Sequence, residues 1–253
     1  MFYHAVSFIL CFSLIIGSLL CPSLQAVEKK PTEQFTIVTF GDSTTATRGP
    51  LNVYSKILAK ELPQLGFPVK VINSGIGGNN TEQAKARFEK DVLRHRPDLV
   101  VIQFGINDSA IDVWKNPPET RSRVSNEKYE ANLRSMIRTL KKKNISVILM
   151  TPNSMRWNVK TKQLYNKPPY DAKNPDGFNV TLKEYLPTVQ KIAREETVPL
   201  VDVYANYENY AKQPGQSADD LLLDGMHPNT KGQKMVADLL IPQIKTLLLK
   251  KKP

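Results

Sequence analysis

Four short segments of the sequence carry side chains suited to acyl transfer. Ser43 lies in Gly41-Asp42-Ser43, and His227 lies in Asp224-Gly225-Met226-His227-Pro228. A serine hydroxyl is a weak nucleophile until a neighbouring imidazole accepts its proton, and a carboxylate can orient that imidazole. The residue types therefore predict Ser43 as a nucleophile, His227 as its general base and Asp224, a few positions earlier, as the orienting acid.

The other two segments could stabilise the oxyanion that forms when a carbonyl is attacked. The backbone N–H of Ser43, the N–H of a glycine within residues 73–78 and the side-chain amide of Asn107 could all donate to it. Taken one at a time, the segments allow simpler roles: Ser43 as a helix cap, Asp224 as a turn residue, and His227 in the cap region of the last helix. The sequence contains no Gly-x-Ser-x-Gly, which argues against the α/β-hydrolase fold.

The elements between these segments predict an α/β architecture. Short runs rich in Val and Ile alternate with longer amphipathic runs, which is typical of buried parallel strands joined by helices. In a parallel sheet the first three segments would leave from one edge, and the fourth could fold back over them. The predicted strands are residues 35–40, 69–73, 98–104, 145–151 and 199–203, and the predicted helices are residues 51–62, 81–94, 127–143, 182–196 and 231–249.

Two long stretches, residues 109–126 and 152–181, resist assignment to helix or strand. Each follows a predicted strand, so both leave from the edge at which ligands bind in doubly wound sheets. The second is rich in aromatic residues, which could form a platform for a sugar or pack against one another as a small core within the loop. These are Phe178 and the three residues from which we expect substrate contacts, Trp157, Tyr165 and Tyr170.

The four segments, in this order and at these elements, resemble the sequence blocks of the SGNH (GDSL-type) hydrolase superfamily, which is named for its Ser, Gly, Asn and His. The resemblance extends from residue 35 to about residue 249. It implies a flavodoxin-like three-layer α/β/α sandwich with five parallel strands. It also implies an ester hydrolase with Ser43, Asp224 and His227 as its triad. One departure is Thr44, which stands where the GDSL tetrapeptide has leucine and bears on subfamily placement.

The resemblance further implies which groups form the oxyanion hole: the N–H of Ser43, the N–H of Gly78 and the side-chain amide of Asn107. Gly78 is favoured over Gly75 and Gly77 because the family's glycine follows an asparagine by about five residues, and Asn73 takes that place here. No cofactor and no metal are expected.

Within the superfamily, the chain looks most like bacterial carbohydrate acetylesterases, so an acylated carbohydrate or another small ester is the expected substrate. The polar, Asn- and Lys-rich stretch over residues 152–181 favours this interpretation. A lysophospholipase or thioesterase acting on lipid esters is one alternative. A non-catalytic carbohydrate-binding protein on the same fold is another, and it is disfavoured because all four segments are intact.

The amino terminus predicts export. An uncharged apolar run over residues 5–20 is followed by Pro22 and Ala26, which is typical of a secretory signal peptide over residues 1–26. An uncleaved anchor is the alternative, and a lipoprotein signal at Cys21 is disfavoured by the bulky Leu20 before it. Residues 27–253 are then expected to form a single hydrolase domain, secreted or periplasmic and without stable membrane association.

Composition narrows the remaining functions. The formal net charge is +11, which favours polyanionic partners, but the lysines are spread along the chain and favour a solvated basic surface instead. No nucleic-acid-binding motif accompanies them, so no nucleic-acid partner is expected. Both cysteines, Cys11 and Cys21, lie within the predicted signal peptide, which excludes a disulfide framework or a cysteine nucleophile from the exported part.

Overall fold

The computed structural model of the protein describes residues 1–2 and 34–250. The signal peptide expected over residues 1–26 lies outside the described residues, apart from its first two. Residues 34–250 belong to one compact unit.

A five-stranded sheet forms the centre of this unit, in the order β2-β1-β3-β4-β5, with every neighbouring pair parallel. Because β1 pairs with both β2 and β3, the direction in which strands are added reverses there. In this strand order, ligands bind in the crevice beyond the carboxyl ends of the strands at that reversal. The strands are β1 (Phe35–Gly41), β2 (Val69–Gly75), β3 (Leu99–Gln103), β4 (Ser146–Met150) and β5 (Leu200–Val201).

Helices connect the strands and cover both faces of the sheet. The α-helices are α1 (Tyr54–Gln64), α2 (Thr81–Asp91), α3 (Ile106–Ser109), α4 (Asn126–Lys142), α5 (Val159–Tyr165), α6 (Val180–Glu195), α7 (Val203–Ala211) and α8 (Thr230–Leu249), with short 3-10 helices at Leu93–His95 and Ala218–Leu221. Three of them, α3, α5 and α7, were not predicted. The strand predicted over residues 199–203 is shorter, because the Asp202 side chain accepts the N–H of Ala205 at 3.0 Å and starts α7.

Successive side chains of each strand point to opposite faces of the sheet, so the core consists of two layers. Ile37 of β1 faces α1, α7 and α8, whereas the next residue, Val38, faces α2, α4 and α6. Leu99 and Val100 of β3 alternate in the same way. All five residues of β3 are buried, as expected for a central parallel strand covered on both faces. The predicted three-layer α/β/α sandwich is therefore confirmed.

A third apolar cluster lies outside the two layers, where the segment between β4 and α6 packs against residues 106–113 and against side chains of α6 and α7. We call residues 155–179 the excursion. The side chain of Asn179 holds its two ends together, since Oδ1 accepts the Met155 N–H and Nδ2 donates to the Met155 carbonyl, both at 2.8 Å. Within it, Asn158 caps α5 by accepting the N–H of Thr161 at 2.8 Å. The stretch predicted as an unassigned loop is thus an ordered, locally closed unit.

Candidate active site

Three of the four predicted segments lie side by side at the carboxyl edge of the sheet. The register pairs Gly41, at the end of β1, with Gly75 of β2 and Gln103 of β3. Ser43 and Asn107 follow β1 and β3 directly, so they lie at the crevice where the strand order reverses.

The fourth segment reaches this edge through a tight turn that precedes α8. Leu222 and Pro228 form an isolated antiparallel bridge that closes the turn. At its tip, Gly225 has φ of +75°, and a Cβ added there would lie 2.3 Å from the carbonyl oxygen of Arg156. Both the left-handed conformation and the close approach of the excursion therefore require glycine.

This turn brings the imidazole of His227 to Ser43. His227 Nε2 lies 2.9 Å from Ser43 Oγ. On the other side of the ring, Nδ1 lies 2.8 Å from Asp224 Oδ2 and 3.0 Å from Oδ1. Three side chains that the sequence separates by 184 and 3 positions form one continuous hydrogen-bonded row. Such a row can carry a proton from the hydroxyl to the imidazole and hold the imidazolium that results.

Asp224 is held in its ionised form. Burial alone would raise the pKa of Asp224, but hydrogen bonds from the His227 backbone and ring, together with the His227 charge, outweigh burial and lower it. The backbone N–H groups of Met226 and His227 donate to Oδ1 at 3.2 and 2.9 Å. Oδ1 is thus fixed by the backbone of the turn, while Oδ2 makes the shorter contact with the ring.

The residues that carry the predicted oxyanion donors line the same pocket as the His227 ring. Ser43, Gly78 and Asn107 all line it, whereas Gly75 and Gly77 do not. Gly78 has φ of +77°, with open space around an added Cβ, so backbone conformation alone favours glycine there.

Asn107 is tied to both neighbouring segments. Its Nδ2 donates to the carbonyl of Asn79 at 3.1 Å and to Asp42 Oδ2 at 3.3 Å, while its Oδ1 accepts from Arg123 Nη1 at 3.1 Å. Asp42 precedes Ser43 and Asn79 follows Gly78. The amide nitrogen of Asn107 is therefore directed toward the segments that carry the other two expected donors.

Asp42 was part of the predicted motif, but the sequence analysis assigned it no role. Its carboxylate is 1% exposed and accepts the N–H and the hydroxyl of Thr44 at 2.8 and 2.9 Å. Burial raises the pKa of Asp42, against the hydrogen bonds from Thr44 and the charge of His227. These bonds fix the backbone on either side of Ser43. The Asp-x-Thr pattern, typical of a side chain that bonds the backbone two residues on, was the local signal.

The pocket in front of Ser43 has a volume of about 340 Å³. This value is at the low end of the roughly 300–1,000 Å³ that small-molecule sites occupy. Its wall opposite the sheet edge comes from the excursion and from the start of α6. Besides Ser43, Gly78, Asn107 and His227, the lining residues are Ile106, Ser109, Ala110, Arg123, Met155, Tyr165, Tyr170, Phe178, Thr181 and Met226.

Two of the three residues expected to contact substrate lie in this lining. Tyr165 and Tyr170 pack edge to face, with ring centroids 5.4 Å apart, and both line the pocket. Trp157 is not part of the lining, because it stacks on Phe178 at 4.7 Å and donates its indole N–H to the Asn174 carbonyl. The rings thus form a small core within the excursion, one side of which faces the pocket.

Arg123 is a charged lining residue that the sequence analysis missed. It lies in the stretch over residues 109–126, which carried no recognisable motif. Its guanidinium contacts both carboxylate oxygens of Asp112, with the shortest distance 2.6 Å, and its side chain is 29% exposed. The partner lies 11 positions away in an irregular loop. No local sequence pattern predicts an ion pair between residues separated in this way.

Among residues 1–2 and 34–250, no group of three or more His, Cys, Asp or Glu side chains is placed to hold a metal ion. Over the same residues, no helix combines the length and apolar character needed to span a membrane.

Comparison with known proteins places this site in a family context. Residues 39–235 match the GDSL-like Lipase/Acylhydrolase family. An acetylxylan esterase of Geobacillus stearothermophilus is 31% identical over 191 residues, which cover 74% of this chain and 77% of the relative. A protein of Bacillus subtilis described as an uncharacterized lipoprotein is 30% identical over 177 residues, which cover 66% of this chain and 70% of the relative.

Solved structures agree with this comparison. The crystal structure of an acetylxylan esterase from Geobacillus stearothermophilus superimposes with a TM-score of 0.66 at 27% identity, covering 83% of this chain and 94% of that one. Structures of three catalytic mutants of that esterase are also similar, and they replace a serine, an aspartate and a histidine by alanine. There the aspartate precedes the histidine by three positions.

Proposed function

This chain belongs to the GDSL-like lipase/acylhydrolase family and is a carboxylic ester hydrolase, and from that premise we propose that it is a secreted serine esterase that removes short acyl groups, above all acetyl, from carbohydrate. Membership confirms the resemblance noted in the sequence. The observation that carries the proposal is the contact of 2.9 Å between Ser43 Oγ and His227 Nε2, continued by Asp224 on the other side of the ring.

In the proposed reaction, Ser43 Oγ attacks the ester carbonyl while His227 Nε2 accepts the hydroxyl proton. Asp224 holds Nδ1–H and stabilises the imidazolium. The carbonyl oxygen becomes an oxyanion that accepts hydrogen bonds from the N–H of Ser43, the N–H of Gly78 and Asn107 Nδ2. Its collapse expels the alcohol, which takes the proton from His227.

The second half of the reaction repeats the first with water as the nucleophile. His227 accepts a proton from water, the hydroxide attacks the acyl-Ser43 ester, and the carboxylic acid leaves as Ser43 regains its proton. The catalytic mutants of the Geobacillus stearothermophilus esterase support the assignment, because the same three residue types are involved with the same spacing between Asp and His.

The preference for a short acyl group rests on the pocket. About 340 Å³ has to hold both the acyl group and part of the alcohol, which leaves little room for a long aliphatic chain. Polar groups such as Ser109 and Thr181 stand beside the aromatic wall formed by Tyr165 and Tyr170. This mixture suits a sugar hydroxyl that carries an acetyl group, and relatives named acetylxylan esterase support that substrate class.

Export is proposed on the apolar run over residues 5–20 and on the expected cleavage after Ala26. A relative described as a lipoprotein supports a non-cytoplasmic location.

A series of p-nitrophenyl esters from acetate to octanoate tests the proposal. We expect kcat/KM to fall steeply with chain length and turnover to vanish in Ser43→Ala. Ser135→Ala, the same change on α4 outside the pocket lining, should leave the rates unchanged. A preference for octanoate would favour the lipid esterase instead. Binding of polysaccharide that persists in His227→Ala, without turnover of any ester, would favour the non-catalytic binding protein.

A further inference from the structure

Arg123 contacts the side chain expected to donate to the oxyanion, yet no part of the proposed reaction uses it. Asn107 is 9% exposed, and its amide has two possible orientations that differ only in which end carries the N–H groups. The neighbours of that amide decide between them.

The two ends of the Asn107 amide face groups of opposite kind: a hydrogen-bond donor lies at one end and two acceptors lie at the other. The guanidinium of Arg123 can only donate, and it lies 3.1 Å from Oδ1. The Asn79 carbonyl and the Asp42 carboxylate accept, and they lie 3.1 and 3.3 Å from Nδ2. Flipping the amide would set donor against donor at one end and acceptor against acceptor at the other.

Arg123 is itself held from two directions. Its backbone N–H donates to the Ala110 carbonyl at 2.9 Å, and the N–H of Val124 donates to the Asp108 carbonyl at 3.1 Å, which closes the loop onto α3. Its side chain is fixed by Asp112, which is 6% exposed. The planar fork of an arginine held at both ends is a rigid support, which a flexible lysine would not provide.

We infer that Arg123, anchored by Asp112, is a positioning residue that holds the Asn107 amide with Nδ2 toward the oxyanion. This inference rests on the proposed function, since it supposes that Asn107 stabilises the transition state of ester cleavage. It assigns a function to the closed loop over residues 109–125. The loop supplies a donor to Oδ1 and leaves Nδ2 to the substrate side. Of the two Nδ2 contacts, the one with Asp42, at 3.3 Å, is longer than the one with Asn79, at 3.1 Å, and in this proposal its hydrogen is shared with the oxyanion.

The test is a mutant cycle with p-nitrophenyl acetate, which has no sugar for Arg123 to bind. Arg123→Met should lower kcat by about 10- to 100-fold with KM within about twofold, below the roughly 10²–10³ lost when an oxyanion donor is removed in Asn107→Ala. The double variant should match Asn107→Ala alone, because Arg123 acts through that side chain. Lys115→Met is the matched control: Lys115 also contacts Asp112, at 3.5 Å, and should leave kcat unchanged.

Additive losses in the double variant, or wild-type kcat in Arg123→Met, would overturn the inference. Far-UV circular dichroism and Tm check that each variant folds. If Arg123→Met does not fold, Arg123→Lys decides the question, since it keeps a cation beside Asp112. It should lower kcat severalfold with Asn107 present and have no effect in Asn107→Ala, and wild-type kcat would again overturn the inference. Wild-type turnover, measured in parallel with Ser43→Ala, shows whether the proposed esterase activity fails instead.

Discussion

Replacing Asp224 by asparagine should disable the enzyme through the tautomer of His227. Oδ1 of Asp224 accepts two backbone N–H groups, at 3.2 and 2.9 Å, so the amide oxygen of the asparagine will take that place. Its NH₂ group then replaces Oδ2, which lies 2.8 Å from His227 Nδ1. Nδ1 must become an acceptor, and the ring proton moves to Nε2. An Nε2 that already carries a proton cannot accept the one from Ser43.

The size of the effect follows from two contributions. Restoring the active tautomer requires the amide to turn and give up the two backbone hydrogen bonds, at about 0.5–1.5 kcal/mol each. This cost lowers the fraction of molecules that hold His227 in the active tautomer about 5- to 150-fold. Losing the charge-assisted bond to the imidazolium adds about 1.5–3 kcal/mol in the transition state. Because the Asp224 side chain is 46% exposed, water moderates both contributions. We expect kcat to fall by about 10³-fold, within limits of about 10²–10⁴.

Steady-state kinetics with p-nitrophenyl acetate measures this loss, and KM should change little because Asp224 does not line the pocket. Asp238→Asn, the same substitution on the exposed side of α8, is the control for the loss of a carboxylate. The ¹⁵N chemical shifts of the His227 ring report the tautomer directly. A kcat within tenfold of wild type, or a ring that keeps its proton on Nδ1, would refute this reasoning.

Two predictions concern stability. Burial raises the pKa of Asp108 from 3.8 to about 6, so the folded form keeps a proton that the unfolded chain releases, and stability falls by about 3 kcal/mol as pH rises through that window. Urea unfolding should therefore show the stability of Asp108→Asn relative to wild type rising by about 2 kcal/mol from pH 4 to pH 7, since part of the window lies below pH 4. A difference independent of pH would contradict the assignment. Tyr170→Phe removes the hydroxyl that accepts the Ile111 N–H at 2.9 Å and should cost about 1–3 kcal/mol in unfolding free energy. Tyr165→Phe is its control, and equal losses in the two variants would show that this hydrogen bond is not the cause.

Much of the fold could be predicted because the signals are local. The five strands are short apolar runs, and β3, with every residue buried, shows this most clearly. Prediction of secondary structure was weaker where the same pattern of apolar residues fits both a strand and a helix. Val201 and Val203 alternate as in a strand, but Val203 and Tyr207 are both buried in a helix, which tertiary packing selects. α5 was missed because it has only seven residues and one buried side chain.

Part of the site could likewise be predicted from local motifs, and part could not. Ser43, Asn107 and His227 could be proposed as neighbours because each lies in a short motif at the end of a strand or before a helix, and a parallel sheet brings strand ends together. The pairing of Arg123 with Asp112 depends on how an irregular loop closes. The separation of Trp157 from the pocket depends on which ring Phe178 stacks upon. Neither the ion pair nor the ring stacking could be predicted from the spacing of residues along the chain.

The clasp between Asn179 and Met155 makes the excursion an exchangeable module. Its ends already meet, so a longer or shorter replacement would bear its own closure entropy and leave the strands in place. A replacement would have to keep the contact of the Arg156 N–H with the Gly225 carbonyl, at 2.6 Å, because it braces the turn beside Asp224, and it would have to supply a partner for the Ile111 N–H that Tyr170 now accepts. The excursion forms one wall of the pocket, whereas Ser43, Asp224 and His227 lie outside it. Exchange of the excursion can therefore change which substrate fits while the residues proposed to cleave the ester stay in place.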